Sequence, residues 1–306
     1  MPRTRPTVLA LAAALLALTG CAGSEGADTA PASAAAEGFP VTVSGDAGEL
    51  TLETAPERIV SMSATATEML FAIDAGDQVV AVDSTSTYPD GAPVTDLSAF
   101  TPNAEAIAGY EPDLVVVSDD LNGLLDGLDT LGVPTLQLGA ADSLDDSWAQ
   151  LTTLGAATGH VEDAAAVVAD TQDRIDAAVS SAAGAGEGLT VYHELDPSGY
   201  SATSGTFIGG VYALFGLTNV ADAADDGSGY PQLSAEYVVG AAPDLVVLAD
   251  TVCCDQDAAT LAARPAFDTL PAVQTGRVLE ADDDVASRWG PRIAELADQV
   301  SAALQG

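Results

Sequence analysis

One stretch of this chain occurs twice, without a gap. Asn103-Ala-Glu-Ala-Ile-Ala-Gly-Tyr-Glu-Pro-Asp-Leu-Val-Val-Val-Ser-Asp119 returns as Ser234-Ala-Glu-Tyr-Val-Val-Gly-Ala-Ala-Pro-Asp-Leu-Val-Val-Leu-Ala-Asp250. From 103 to 234, and from 119 to 250, the offset is a constant 131 residues. Each copy opens on a small polar residue suited to cap a helix, and Glu105 or Glu236 falls in the first turn, where negative charge is favoured. Gly109 or Gly240 is expected to end that short helix in the left-handed conformation, and Pro112 or Pro243 stops it resuming. The unbroken apolar runs Leu114 to Val117 and Leu245 to Leu248 suit strands covered on both faces, as in a parallel sheet with helices above and below. Each run leads to an Asp at the carboxyl end of its strand. Two helix–strand units so far apart predict two similar α/β lobes.

The length of 306 residues accommodates both lobes, and an apolar content of 48% is enough for two cores. Lysine is absent: the eight basic residues are all Arg, against 46 Asp and Glu. Two of those Arg, Arg3 and Arg5, belong to a segment expected to be removed. The six left would give a net charge of −40 with neutral His. Such a surface repels phosphate backbones and anionic lipid, which argues against nucleic-acid binding. Solubility or salt tolerance accounts for the acidity without a specific role.

Met1 to Gly20 reads as a secretory signal, with Arg3 and Arg5 at its start and an apolar run, Val8 to Leu18, too short to span a bilayer. It ends in Leu18-Thr19-Gly20-Cys21, which resembles the lipobox of bacterial lipoproteins and implies acylation of Cys21. The Ala-, Ser-, Gly- and Thr-rich residues 21–38 form a flexible tether. Phe39 to Leu52 predicts a hairpin turning at Gly45 to Gly48. Beyond it, Arg58 to Met62 is a first strand, and Thr65-Ala-Thr-Glu68 reads as a capping box opening a helix. Helices and strands then alternate, with Gln78 to Val82 and Val133 to Leu138 as further strands in a first lobe over 39–159. Val161 to Ala183, free of Gly and Pro, is a long helix within a 160–186 connector, stiff rather than hinged. The second lobe, 187–306, contains the strands Leu189 to Leu195 and Arg277 to Ala281 and a closing amphipathic helix from Pro291 to Leu304. The fold class is therefore α/β, two Rossmann-like lobes bridged by one rigid helix.

Five stretches carry a resemblance: Arg58-Ile-Val-Ser-Met-Ser-Ala-Thr-Ala-Thr-Glu68, the first repeat copy, Tyr200-Ser-Ala-Thr-Ser-Gly-Thr-Phe207, Tyr230-Pro-Gln-Leu-Ser-Ala-Glu236 and Arg288-Trp-Gly-Pro-Arg292. In order and spacing they resemble the substrate-binding lipoproteins of ABC importers for iron–siderophores and cobalamin. The resemblance implies transport without chemistry and without a cofactor. A metal chelate, ferric siderophore or cobalamin, would lie between the lobes against the carboxyl ends of the strands, where open α/β sheets bind ligands. A haem-binding member of the same family is the alternative ligand reading. The resemblance also implies that Glu105 and Glu236 dock onto Arg pockets of a membrane permease served by an ATPase; the same two residues would otherwise merely complement their helix dipoles. The protein would act as a monomer, lipid-anchored on the extracytoplasmic side of the cell membrane.

By position in the cobalamin members, Phe100, Tyr200 and Tyr230 match aromatic residues around the ligand, and Arg288 matches a ligand-facing Arg. Thr85 and Ser118 depart from that pattern, standing where aromatic residues are expected. Tyr88 and Trp289 are candidate substitutes, and ordinary loop packing would explain these aromatics equally. An envelope-anchored enzyme is the rival class, but the chain lacks a Gly-x-Ser-x-Gly elbow, a Walker loop and a Gly-x-Gly-x-x-Gly turn. Its two imidazoles, His160 and His193, fall at a helix start and inside a strand, and their scarcity also argues against a His-rich metal site.

Two further expectations concern charge and thiols. Arg58 and Arg277 begin strands, Arg174 lies along the connector, Arg292 opens the last helix and Arg264 has no clear place, so Arg288 is the one strong cleft cation. A trianionic chelate would lack partners, and a neutral or cationic, hydroxamate-like or corrinoid ligand is expected. Cys253 and Cys254, adjacent and just beyond the second repeat, are expected to form a vicinal disulfide that stiffens a cleft loop, with free thiols as the alternative.

Overall fold

The computed structural model describes residues 38–306. The signal segment 1–20, Cys21 and, but for Gly38, the tether 21–38 lie outside the described residues.

The predicted hairpin is β1 (Val41–Gly45) and β2 (Gly48–Leu52), antiparallel with Val43 opposite Leu50. There follow β3 (Ile59–Met62), α1 (Ala64–Ala72), β4 (Val79–Val82), α2 (Ala104–Ala108), β5 (Leu114–Val117), α3 (Leu124–Thr130) and β6 (Thr135–Gln137). Two long helices come next, α4 (Leu144–Thr158) and α5 (Val161–Ser181). The remainder is β7 (Thr190–Glu194), α6 (Phe207–Leu214), β8 (Thr218–Asn219), α7 (Ala235–Ala241), β9 (Leu245–Leu248), α8 (Thr251–Cys254), α9 (Ala258–Ala262), α10 (Pro271–Thr275), β10 (Val278–Glu280), α11 (Asp283–Ser287) and α12 (Ile293–Gln305).

The lobes share one topology. The first sheet runs β4-β3-β5-β6 and the second β8-β7-β9-β10, so within each lobe the strands stand in the order second, first, third, fourth. All pairings within both sheets are parallel. The repeated strands β5 and β9 occupy the same third place, and all four residues of each are buried. Their side chains alternate: Leu114 and Val116, like Leu245 and Val247, join a core that runs through both lobes, whereas Val115 and Val117, like Val246 and Leu248, fill a smaller core on the far face of their own sheet. Side chains on both faces of these two strands enter apolar cores, which is why the runs are unbroken.

Both copies also tie their sheet together through the Asp after the repeated Pro. The carboxylate of Asp113 accepts from the amides of Glu57 and Arg58 at 2.8 and 2.9 Å, at the foot of β3. That of Asp244 accepts from the amide and hydroxyl of Thr190 at 3.0 and 3.1 Å, at the foot of β7. Each Asp thus holds the start of the sheet's first strand beside the third.

Two local expectations need correction. Gly109 is not left-handed, with φ −61°, and Gly240 lies inside α7; the left-handed residues are Glu111 at φ 53° and Ala242 at φ 49°, again equivalent under the repeat. The turn has to reverse immediately before Pro112 or Pro243, so the strained position falls there, on residues with side chains. The cap of α1 is Ser63, whose hydroxyl accepts from the Ala66 amide, rather than Thr65. Glu68 does not close a capping box; its carboxylate is bound by two Arg from the far end of the chain.

The connecting helix α5 runs unbroken, burying Ala164, Thr171, Ile175 and Ala178, while Val161 at its start is exposed. It lies between α4 and α12. Gly155 permits the approach of α4, since a Cβ there would meet the Cβ of Ala164 and the carbonyl of His160. On the other side, the Ser301 hydroxyl donates to the Ala178 carbonyl at 2.9 Å.

Candidate functional site

The carboxyl ends of strands in both sheets face one another where the lobes meet, and the hydrogen bonds between lobes come from segments that follow those ends. In the first lobe these are α1 after β3, the Thr85 to Tyr88 loop after β4, and α4 after β6. In the second it is the segment 284–292 after β10.

The densest contact is ionic. Glu68 of α1, only 3% exposed, accepts from Arg288 Nη1 at 2.7 Å and from Arg292 through Nε at 2.9 Å and through Nη2. Arg288 also donates to the Thr85 carbonyl at 3.0 Å and pairs with Asp284 at 2.6 Å. Asp284 in turn accepts from the Thr87 hydroxyl across the gap at 3.2 Å. Burial pushes its carboxyl above the usual range, against the pull of Arg288. The Arg292 guanidinium lies 4.1 Å from the centre of the Tyr88 ring. Two cations face two carboxylates, so the cluster is neutral as a unit. Its dense hydrogen bonding offsets the cost of taking four charges out of water.

The predicted ligand residues fall in four places. Arg288 and Trp289 are part of the lobe junction: the Arg288 side chain is 14% exposed, and the Trp289 indole donates to Gln150 of α4 at 2.9 Å while its carbonyl accepts from Ser147. Tyr88 stacks on Arg292 and lines a cavity of about 500 Å³ between α1, α5 and α12, with Phe71, Val167 and Asp170. Tyr200 and Tyr230 come together on paired segments, Tyr200 bridging Gln232 and the Ser201 amide donating to the Pro231 carbonyl at 3.0 Å. Burial, and secondarily the Asp142 carboxylate of the first lobe, raises the Tyr230 hydroxyl above the usual range. Phe100 stands apart in the loop before α2 and is 73% exposed. Ser118 follows β5, and Thr85 donates its hydroxyl to Asp83. Glu105 and Glu236 are both exposed in the first turns of α2 and α7, one on each lobe.

At the carboxyl ends the sequence marked Asp119 and Asp250, but not the ion pair that stands beside Asp250. Glu194, the last residue of β7, is wholly buried and takes both Nη atoms of Arg264 at 2.7 and 2.6 Å, together with the Tyr192 hydroxyl at 2.9 Å. Arg264, unplaced by the sequence, is therefore fixed at this end of the second sheet. Asp250 closes the second repeat, is fully buried, and neither of its carboxylate oxygens has a hydrogen-bond partner. Burial, and then the nearby Glu194 charge, pushes it up to about 7. Its counterpart Asp119 is exposed.

Neither imidazole is placed for chemistry. His193 is completely buried, bonded through Nδ1 to the Tyr212 hydroxyl at 2.6 Å, and burial lowers it to about 3, so it is neutral at pH 7. His160 precedes α5 and its Nδ1 pairs with Asp163 at 3.2 Å. Among the described residues no group of three or more His, Cys, Asp or Glu is arranged to hold a metal ion. The same residues contain no helix long and apolar enough to cross a membrane. Cys253 and Cys254 are joined as a vicinal disulfide on α8.

A family model described as periplasmic binding protein matches residues 59–285. The cobalamin-binding protein of Halobacterium salinarum is 34% identical over 270 residues, covering 84% of this chain and 72% of that one. An uncharacterised ABC transporter substrate-binding lipoprotein of Bacillus subtilis is 26% identical over 305 residues, covering 96% of this chain and 95% of its own. Among solved structures, the periplasmic haem-binding protein from Roseiflexus sp. RS-1 superposes with a TM-score of 0.72 at 26% identity, over 81% of this chain and 97% of that one.

Proposed function

The chain belongs to the periplasmic binding protein family, whose members bind substrates for transport and are not enzymes, and from that premise we propose that it captures a neutral or cationic metal chelate between its lobes. The chelate is a corrinoid such as cobalamin or a ferric hydroxamate, delivered to an ABC permease and its ATPase. The cobalamin-binding relative supports the corrinoid reading.

One observation carries the charge of the ligand: the guanidiniums at the carboxyl ends of the strands are already committed. Arg264 is held by Glu194, and Arg288 and Arg292 by Glu68 and Asp284. Elsewhere, Arg58 donates to the Tyr110 and Glu111 carbonyls, Arg174 pairs with Asp298, and Arg277 precedes β10 at the amino end of the sheet. A trianionic ligand would have to pull a buried pair apart, stranding a carboxylate at a cost of about 3–5 kcal/mol. Tyr200, Tyr230 and Phe100, each partly exposed, supply apolar contact without that cost.

Competitive titration tests the reading. Cyanocobalamin or ferrioxamine B should bind with submicromolar affinity, and a ferric tris-catecholate should not. Haem, which carries two propionates, belongs in the panel because of the Roseiflexus relative. Submicromolar binding of the tris-catecholate with the neutral and cationic chelates silent would overturn the proposal.

Membrane attachment is part of the same reading, supported by the Leu-Thr-Gly-Cys21 sequence and by the Bacillus subtilis lipoprotein. Acylated at Cys21, the protein would sit on the extracytoplasmic face and work as a monomer. Cys21→Ser should move it from the detergent phase to the aqueous phase or leave it unprocessed; unchanged fractionation would remove the anchor from the account.

A further inference from the structure

The vicinal disulfide lies beside the segment 283–289, which carries hydrogen bonds to the first lobe. Residues of α8 are bound on two sides. The amides of Val252 and Cys253 donate to the two oxygens of Asp283 at 2.9 and 2.7 Å, and the Thr251 hydroxyl donates to the Ala281 carbonyl at 2.7 Å. From the other side, the Gln256 side chain donates to the Cys254 carbonyl at 2.9 Å and accepts from Arg264 at 2.7 Å. Asp283 is the first residue of α11, capped by Asp282, whose carboxylate accepts from the Asp284 and Val285 amides. Within six residues of Asp283 come Asp284, bonded to Thr87; Arg288, bonded to Glu68 and Thr85; and Trp289, bonded to Ser147 and Gln150. The α8 turn thus buttresses the short helix from which these bonds reach the first lobe.

We propose that Cys253–Cys254 is a thiol–disulfide exchange site that sets how firmly α11 clasps the two lobes, so that an external dithiol loosens the ligand gap. The bond between adjacent residues closes a small ring that holds the peptide linking them, and with it the turn that aims the two amides at Asp283. Cys253 is the exposed member of the pair and Cys254 is partly buried. A thiolate of the dithiol attacks Cys253 Sγ, the sulfur–sulfur bond breaks, and Cys254 leaves as a thiolate that takes up a proton. The second thiol of the reagent then displaces Cys253 and closes the reagent's own disulfide. Two electrons and two protons pass to the protein, and the dithiol is oxidised. Once the ring opens, the turn regains backbone freedom, the pair of amides no longer holds Asp283, and α11 loses its support.

The effect on affinity rests on the ligand reading above; the effect on the clasp does not. Hydrogen–deuterium exchange therefore comes first, on ligand-free full-length protein, oxidised or reduced with dithiothreitol. Exchange over 251–256 and over 283–289 should accelerate about tenfold on reduction, while β5 and β9 stay protected. Acceleration confined to 251–256 would overturn the coupling. The Cys253→Ser/Cys254→Ser variant should match the reduced protein and ignore dithiothreitol; a variant still responsive to the reagent would also overturn it. Titration with cyanocobalamin and ferrioxamine B follows, and reduction should weaken binding about fivefold or more. Equal affinity in the two redox states would sink the link to the ligand. If neither probe binds in either state, the ligand reading fails and the exchange data still decide the clasp.

Discussion

Glu68 and Arg292 stand 224 positions apart and are joined by two hydrogen bonds, one carboxylate oxygen to Nε and the other to Nη2. With Arg288 on the same carboxylate, this pair closes the two lobes against each other at their carboxyl ends. Removing the single negative charge leaves two part-buried guanidiniums facing a neutral amide. Glu68→Gln should lower unfolding stability by about 3 kcal/mol, in the range for breaking a buried pair. Chemical denaturation measures it, and a loss under 1 kcal/mol would mean that water replaces the carboxylate.

Docking and ligand capture should separate cleanly. Glu105 and Glu236 are exposed on opposite lobes, in helix first turns away from the clasp. Glu105→Arg or Glu236→Arg should leave chelate affinity within about twofold and cut uptake by at least about tenfold, through charge reversal at a docking contact. Loss of chelate affinity would assign these residues to the pocket or to the fold.

Two buried groups shift stability with pH in opposite senses. Asp250 is pushed up to about 7 from 3.8, so the folded state holds a proton that the unfolded state releases; stability therefore falls as pH rises from about 4 to about 7 and stays lowered above. His193 is lowered to about 3 from 6.5, so the unfolded state takes the proton first; stability falls as pH drops below about 6.5 toward 3. Asp250→Asn removes the first effect alone. The variant should gain on the order of 2 kcal/mol over the parent at pH 8, with the gain vanishing near pH 4. Denaturant titrations of both proteins across that range decide it, and a pH-independent difference would place the cause outside ionisation.

The sheet ties should behave alike in the two lobes. Asp113→Ala strands the Glu57 and Arg58 amides, and Asp244→Ala the Thr190 amide and hydroxyl. Each should cost about 1–3 kcal/mol, the price of unpaired donors at a strand start. Thermal melts test this, and a large loss in one lobe beside none in the other would break the equivalence.

What the chain declares by itself is local. The repeat is read in a single pass because each of its parts acts on near neighbours: Asn103 and Ser234 cap the turn three residues on, at 2.9 and 3.2 Å, and the runs after Pro112 and Pro243 become strands buried on both faces. The β1–β2 hairpin and the unbroken α5 follow from alternation and from the absence of Gly and Pro. The two-lobed α/β class is the sum of such signals. Even here a one-residue detail escaped, since left-handed backbone fell on Glu111 and Ala242 instead of the glycines two places earlier.

Tertiary structure decided which charges meet. Nothing periodic links Glu68 to Arg288 or Glu194 to Arg264, which are brought together across 220 and 70 positions, and a Thr-x-x-Glu pattern at the head of a helix looks the same whether its Glu folds back on the cap or crosses to another lobe. The same holds for the two repeat-closing acids: Asp119 and Asp250 end equivalent motifs, yet one is in water and the other is buried beside Glu194. Short-range sterics and capping are written in adjacent residues. Ion pairing and burial depend on distances that exist only after the two sheets have been set facing each other by α4, α5 and α12.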